Sequence, residues 1–158
     1  LLVTVIKVKK SRLVDHRRLP RSSAVIESDQ RQISEVFRGV QVLEIYNRLV
    51  EACADARGPI EATLIVNELT GLTKVHFTRE EVLMTDYAYP EIESHRREHE
   101  EFVGDLEDLE RRFLSAGAPE LCLGTLSELG RKLIGHIRDA DREYIEFFHE
   151  LMARQSRR

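Results

Sequence analysis

His76 and Glu80 stand four residues apart, His95 and His99 repeat that spacing, and Asp141 follows His136 at five. Side chains four apart on a helix leave the same face about one turn from each other, so both can reach one point in space. Three such pairs on neighbouring helices would deliver four imidazoles and two carboxylates into one bundle core. That inventory suits a metal centre. Mixed nitrogen and oxygen donors without thiolate favour iron or manganese over zinc, and six donors exceed the four that a structural zinc takes. Carboxylates can bridge two ions, so two octahedral irons sharing Glu80 and Asp141 fit the count.

A lone histidine on an apolar helix face is more often a hydrogen-bonded core residue than a ligand, and a His–Glu pair four apart is often a surface pair. The conjunction weighs against that reading. His76 follows Leu72 and Val75, His95 and His99 continue from Ile92 toward Phe102, and His136 is flanked by Leu133 and Ile137. The histidines therefore sit on the apolar stripes. Burying so many polar and charged groups without a cation would be costly, because each would need its own partner.

Four helical stretches must position these groups. From about Asp29, apolar residues recur every three or four positions: Ile33, Val36, Phe37, Val40, Leu43, Tyr46 and Val50. Gly58-Pro59 ends that helix and opens the next. The second helix holds Leu64, Ile65, Leu69, Leu72, Val75, His76, Val82 and Leu83 and is expected to stop between Thr85 and Pro90. A third runs from Pro90 to about Leu114, and a fourth occupies roughly residues 120–152 beyond the turn Ser115–Pro119. Long helices with short connections imply antiparallel neighbours, hence an all-α, up-down-up-down four-helix bundle.

At 158 residues the chain makes one domain with a sizeable core. Residues 1–28 form a different, basic segment without sustained helical period, read as a poorly ordered lead-in or an arm for an acidic protein partner, and residues 29–158 form the bundle. The formal net charge is −4, and because residues 1–24 carry seven basic side chains against Asp15 alone, the rest is markedly acidic. That balance argues against nucleic acid as a partner of the folded part. Cys53 and Cys122 are too few and too far apart for a disulfide framework and read as reduced thiols of a cytoplasmic protein. No apolar run approaches the 18 residues of a membrane span, and Leu1–Ile6, with no basic region before it, does not read as a secretion signal.

The run from His76 to Phe102, with His76-Phe77-Thr78-Arg79-Glu80-Glu81-Val82-Leu83-Met84, then Tyr89-Pro90, then His95-Arg96-Arg97-Glu98-His99-Glu100-Glu101-Phe102, resembles the bacterial hemerythrin-like, non-haem di-iron proteins. The likeness continues through His136-Ile137 and Asp141-Arg142-Glu143-Tyr144 and covers about residues 30–150. The resemblance implies that His95, His99 and His136 hold one iron and His76 the second, with Glu80 and Asp141 bridging. It also implies that dioxygen binds at the second iron in an apolar pocket, to which Leu133 would contribute. The implied function is dioxygen binding for storage, delivery or sensing, and the alternative is a di-iron enzyme acting on peroxide or nitric oxide.

One position departs from the family. The first helix normally supplies a further histidine to the second iron, and aligning Asn47 and Leu49 with the family's Asn-x-Leu puts Gly39 there. Glu35, one turn earlier on the same face, is a candidate substitute, and water in an open position is the other expectation. His16 lies far upstream, beyond Pro20, and reads as part of the lead-in. Lys132 stands where the family often has tryptophan, one turn before His136. His149, thirteen residues past His136, is out of reach of the same metal by helical rise.

Overall fold

The computed structural model describes residues 23–55, 58–116 and 122–155, and the side chains of the first helix from Gly39 onward. Most of the expected basic lead-in, with His16, and the side chain of Glu35 lie outside the described residues. Helix α1 spans Ser23–Ala54, α2 Pro59–Asp86, α3 Ile92–Ala116, α4 Cys122–Arg138 and α5 Ala140–Gln155. Among the described residues no helix is long and apolar enough to cross a membrane.

Helix α1 starts before the expected Asp29, so residues 23–28, assigned to the lead-in, are helical. No glycine or proline stands between Pro20 and Gly39 to interrupt it. Helix α2 opens at Gly58, whose φ of 97° lies in the left-handed region that glycine tolerates, with Pro59 in the first turn. Its end at Tyr87 leads into a tight turn in which Ala88 adopts φ 52° and the Tyr89 amide donates to the Met84 carbonyl at 2.9 Å. Helix α1 packs on α2, α2 on α3 and α3 on α4, and α1 against α4 closes the ring, giving the four-helix bundle.

The fourth arm is not the single helix expected over residues 120–152. It breaks at Asp139 into α4 and α5, although the Asp139 amide still donates to Gly135 and the Glu143 amide to Asp139, so the two pieces run on as one arm. The break falls between the two members of the five-residue pair. In an unbroken α-helix His136 and Asp141 would point about 140° apart around the axis. Here the His136 Nε2 lies 3.0 Å from Asp141 Oδ1.

The main core joins Val42, Leu43, Tyr46 and Leu49 of α1 to Ile65, Val66 and Leu69 of α2, to Phe102, Leu106, Leu109 and Phe113 of α3, and to Leu126, Leu129 and Leu133 of α4. A smaller cluster of Met84, Tyr89, Tyr144 and Phe148 sits at the α5 end. Of the apolar residues of α2, Leu64, Val75 and Val82 are exposed, so the stripe that bears His76 does not pass through Val75. The buried face runs instead through Ala62, Ile65, Val66, Leu69, Thr70, Thr73, His76, Phe77, Glu80 and Met84. Two threonines and a glutamate lie on that face, so apolarity alone misplaces the stripe.

One contact locks α1 to α4. The buried Tyr46 hydroxyl donates to the Leu126 carbonyl at 2.7 Å, and a Cβ at Gly130 would overlap that same hydroxyl. Glycine at 130 is therefore what lets the tyrosine ring lie across the helix. Gly130→Ala is expected to destabilise the fold by about 1–3 kcal/mol through overpacking, and Tyr46→Phe by about 1 kcal/mol through the lost hydrogen bond. Urea unfolding checks both, and an unchanged midpoint for Gly130→Ala would contradict the close approach.

Candidate metal centre

The inward face of α2 presents His76 and Glu80, α3 presents His95 and His99, α4 ends on His136 and α5 begins with Asp141. All six side chains are buried, none more than 9% exposed. Their donor atoms form two overlapping groups, one of Glu80, His95, His99 and His136 and one of His76, Glu80 and Asp141, each with ligand atoms within 4.8 Å of one another. Glu80 belongs to both. Its two oxygens face opposite ways: Oε1 lies 3.5 Å from His76 Nε2, and Oε2 lies 3.4 Å from His99 Nε2 and 3.8 Å from His95 Nε2. Asp141 Oδ1 sits between His136 Nε2 at 3.0 Å and His95 Nε2 at 3.6 Å.

The orientation of the rings decides what this cluster can hold. His99 turns Nδ1 to Glu81 Oε1 at 2.8 Å, and His136 turns Nδ1 to Glu98 Oε2 at 2.8 Å. A carboxylate accepts, so each Nδ1 is the donor. The remaining nitrogens, His99 Nε2 and His136 Nε2, point at each other across 3.0 Å. Two imidazoles protonated at Nδ1 would face lone pair to lone pair there, which is repulsive unless a positive centre sits between them. His95 Nε2 joins them, buried and without a hydrogen-bond partner. These residues fit a cation: three imidazole nitrogens and two carboxylates converge on one region of the core.

The electrostatics agree. Burial pulls the His99 imidazole well below its ordinary range, and the neighbouring His136, His95 and His76 push the same way. Burial, then His136, brings His95 down to about 4, against the opposing pull of Asp141, Glu98 and Glu81. Both rings are thus neutral and available as ligands at physiological pH. For His136 burial also acts downward, but it is outweighed by the hydrogen bond and charge of Asp141, then by Glu98 and Glu80, and the group is pushed up to about 9. Positive charge at this point in the core is favoured, whether a proton or a metal ion carries it.

Aromatic side chains hold the rings in place. Phe77 stacks on His99 with centroids 3.6 Å apart and planes 6° from parallel, and it meets His136 edge-on at 5.6 Å. Tyr144 meets His95 edge-on at 6.1 Å. Leu133, one turn before His136, is buried at 2%. Lys132 beside it does not enter the core. Its ammonium pairs with Asp105 of α3 at 2.5 Å. His149 is exposed on α5.

The structure also identifies two participants absent from the expected set, Glu81 and Glu98. Each neighbours a ligand candidate in sequence, Glu81 after Glu80 and Glu98 before His99, and each lies one residue off the buried stripe. Their partners lie on other helices, His99 for Glu81 and His136 for Glu98, so position along one helix does not single them out. At Gly39 of α1, the nearest atom to an added Cβ would be His76 Nε2, at 3.8 Å. The glycine does face the His76 end of the cluster.

Comparison with known proteins accords with this geometry. A stretch of 82 residues is 33% identical to a bacteriohemerythrin of Stenotrophomonas maltophilia, covering 52% of this chain and 52% of that protein, so the match spans about half its length. A longer stretch of 116 residues is 29% identical to a bacteriohemerythrin of Pseudomonas aeruginosa and covers 72% of each chain. Residues 40–148 match the hemerythrin HHE cation-binding domain, from the helix that faces His76 to the aromatic cluster beyond Asp141, and the chain belongs to the hemerythrin family.

Proposed function

We propose that this chain holds two iron ions in the bundle core and binds dioxygen there, for storage, delivery or sensing. In this reading His95, His99 and His136 hold one ion, His76 holds the other, and Glu80 and Asp141 lie between them. The observation that carries the reading is the division of Glu80, with one oxygen toward His76 and the other toward His95 and His99. A carboxylate turned both ways between two sets of imidazoles is the arrangement of a bridge. Bound iron would supply the electrons and the exchangeable coordination position that reversible dioxygen binding needs. The chain supplies the setting: Phe77 lies against His76, His99 and His136, Leu133 is buried in the core one turn before His136 and is the candidate apolar wall of the ligand pocket, and burial keeps bulk water from the donors.

The two ions would not be held equally. Three imidazoles converge at one end, whereas Gly39 brings no donor atom to the His76 end. With one nitrogen fewer, the second ion is held more weakly and keeps a position open to small ligands. That same feature favours a second reading, an enzyme that turns over peroxide or nitric oxide at the exposed position. Turnover of peroxide with an added reductant would favour the enzyme, and a spectral change that reverses when oxygen is removed would favour the carrier or sensor.

Protein loaded with iron and freed of excess metal should retain one iron per chain firmly and lose the second to a mild chelator. Two equally retained irons with a lasting oxygenated band would contradict the weak second site, and failure to bind iron at all would contradict the whole reading. Gly39→His is expected to raise retention of the second iron, because the new side chain starts beside His76. Gly39→Ala, whose Cβ fits at ordinary contact distance, should leave retention unchanged. Equal iron retention in Gly39→His and the unmutated protein would show that Gly39 does not limit the site.

A further inference from the structure

Two carboxylates outside the six-residue cluster stand directly behind its imidazoles. Glu81 Oε1 lies 2.8 Å from His99 Nδ1, and Glu98 Oε2 lies 2.8 Å from His136 Nδ1. We propose that Glu81 and Glu98 are positioning residues that hold His99 and His136 as Nδ1–H tautomers, so that both Nε2 lone pairs converge on one cation. This rests on the metal-binding reading above and adds to it the groups that set the affinity of the three-histidine end.

The physical basis is the choice of tautomer. A neutral imidazole places its one proton on either nitrogen, and the hydrogen bond at one nitrogen decides what the other can do. With carboxylate acceptors at Nδ1, the proton stays there and Nε2 is left with its lone pair. The negative charge behind each ring also raises the basicity of the nitrogen that faces the metal. Without these acceptors, either ring could move its proton to Nε2 and donate to Glu80 or Asp141, which approach at 3.4 Å and 3.0 Å. That would remove the metal-binding lone pair.

The two carboxylates are not equally fixed. The Glu81 side chain is 28% exposed, and its other oxygen lies 3.4 Å from the Arg96 guanidinium. Arg96 is itself tied to Glu93 at 3.1 Å and donates to the Thr85 hydroxyl at 3.2 Å. Glu81 is thus clamped from behind, from the end of α2 to the start of α3. The Glu98 side chain is 54% exposed, so water competes for its hydrogen bond. Glu81 should therefore matter more than Glu98. Phe77, stacked flat on the His99 ring, prevents the ring from turning to another acceptor and reinforces the same choice.

Competition for zinc(II) against a chromophoric chelator, on the full chain, tests the proposal. Glu81→Ala should weaken zinc binding about 10–100-fold, the range for lost outer partners of metal-bound histidines, and Glu98→Ala by less. Glu81→Gln should recover part of the loss, since its amide oxygen can still accept from Nδ1. The thermal midpoint of each metal-free variant controls for folding, and it should stay near that of the unmutated protein. Unchanged zinc affinity in the alanine variants would overturn the proposal, as would a larger effect at Glu98 than at Glu81. Nitrogen-15 spectra of the histidines separate this result from failure of the metal reading. If the unmutated protein takes up neither zinc nor iron, that reading fails. His99 should still show the Nδ1–H tautomer, shifting toward a mixture in Glu81→Ala, and the same tautomer population in both proteins would overturn the positioning role.

Discussion

The 3.0 Å approach of His99 Nε2 to His136 Nε2, with a carboxylate at the far nitrogen of each ring, is the constraint on which the rest of the structure depends. Buried polar groups are normally satisfied by partners, and a core that aims unprotonated nitrogens at one another is stable only with positive charge between them. The carboxylates of Glu80 and Asp141 approach the same region, and against the downward pull of burial Asp141, then Glu98 and Glu80, push His136 up to about 9. Removing one partner from so dense a polar cluster costs more than the interaction itself, because the groups left behind remain buried.

The bundle is arranged to deliver that convergence. Paired residues on α2 and α3 arrive by ordinary helical spacing. The fourth arm brings Asp141 within 3.0 Å of His136 at a five-residue spacing, with the interruption at Asp139 between them. Phe77 fixes the plane of His99, and the aromatic cluster of Tyr89, Tyr144 and Phe148 closes the α5 end beside His95. At the opposite end the Tyr46 hydroxyl crosses to α4 over Gly130, so the helices that carry the donors are held in register from both sides.

Much of this was legible in the sequence because helical periodicity and ligand spacing report the same geometry. The four-helix architecture was legible in the apolar periodicity and the turns between helices, the family in the run 76–102 with 136–144, and the gathering of six donors in the core in the pairs at 76–80, 95–99 and 136–141. On α2 the apolar residues Leu64, Val75 and Val82 do not mark the inward face, because that face carries Thr70, Thr73 and Glu80, whose polarity hides them from an apolar pattern. The break at Asp139 has no glycine or proline to announce it. The roles of Glu81 and Glu98 depend on ring orientation across helices, which no spacing within a single helix encodes. Gly39 was placed by alignment, and its position opposite His76 follows from how α1 packs on α2.

Diffraction from crystals of the iron-loaded protein, recorded on both sides of the iron absorption edge, tests the central claim most directly. A strong anomalous peak should lie among the Nε2 atoms of His95, His99 and His136, with a second, weaker peak toward His76 and Glu80 between the two. An empty three-histidine end, with iron found only on surface carboxylates, would contradict the account.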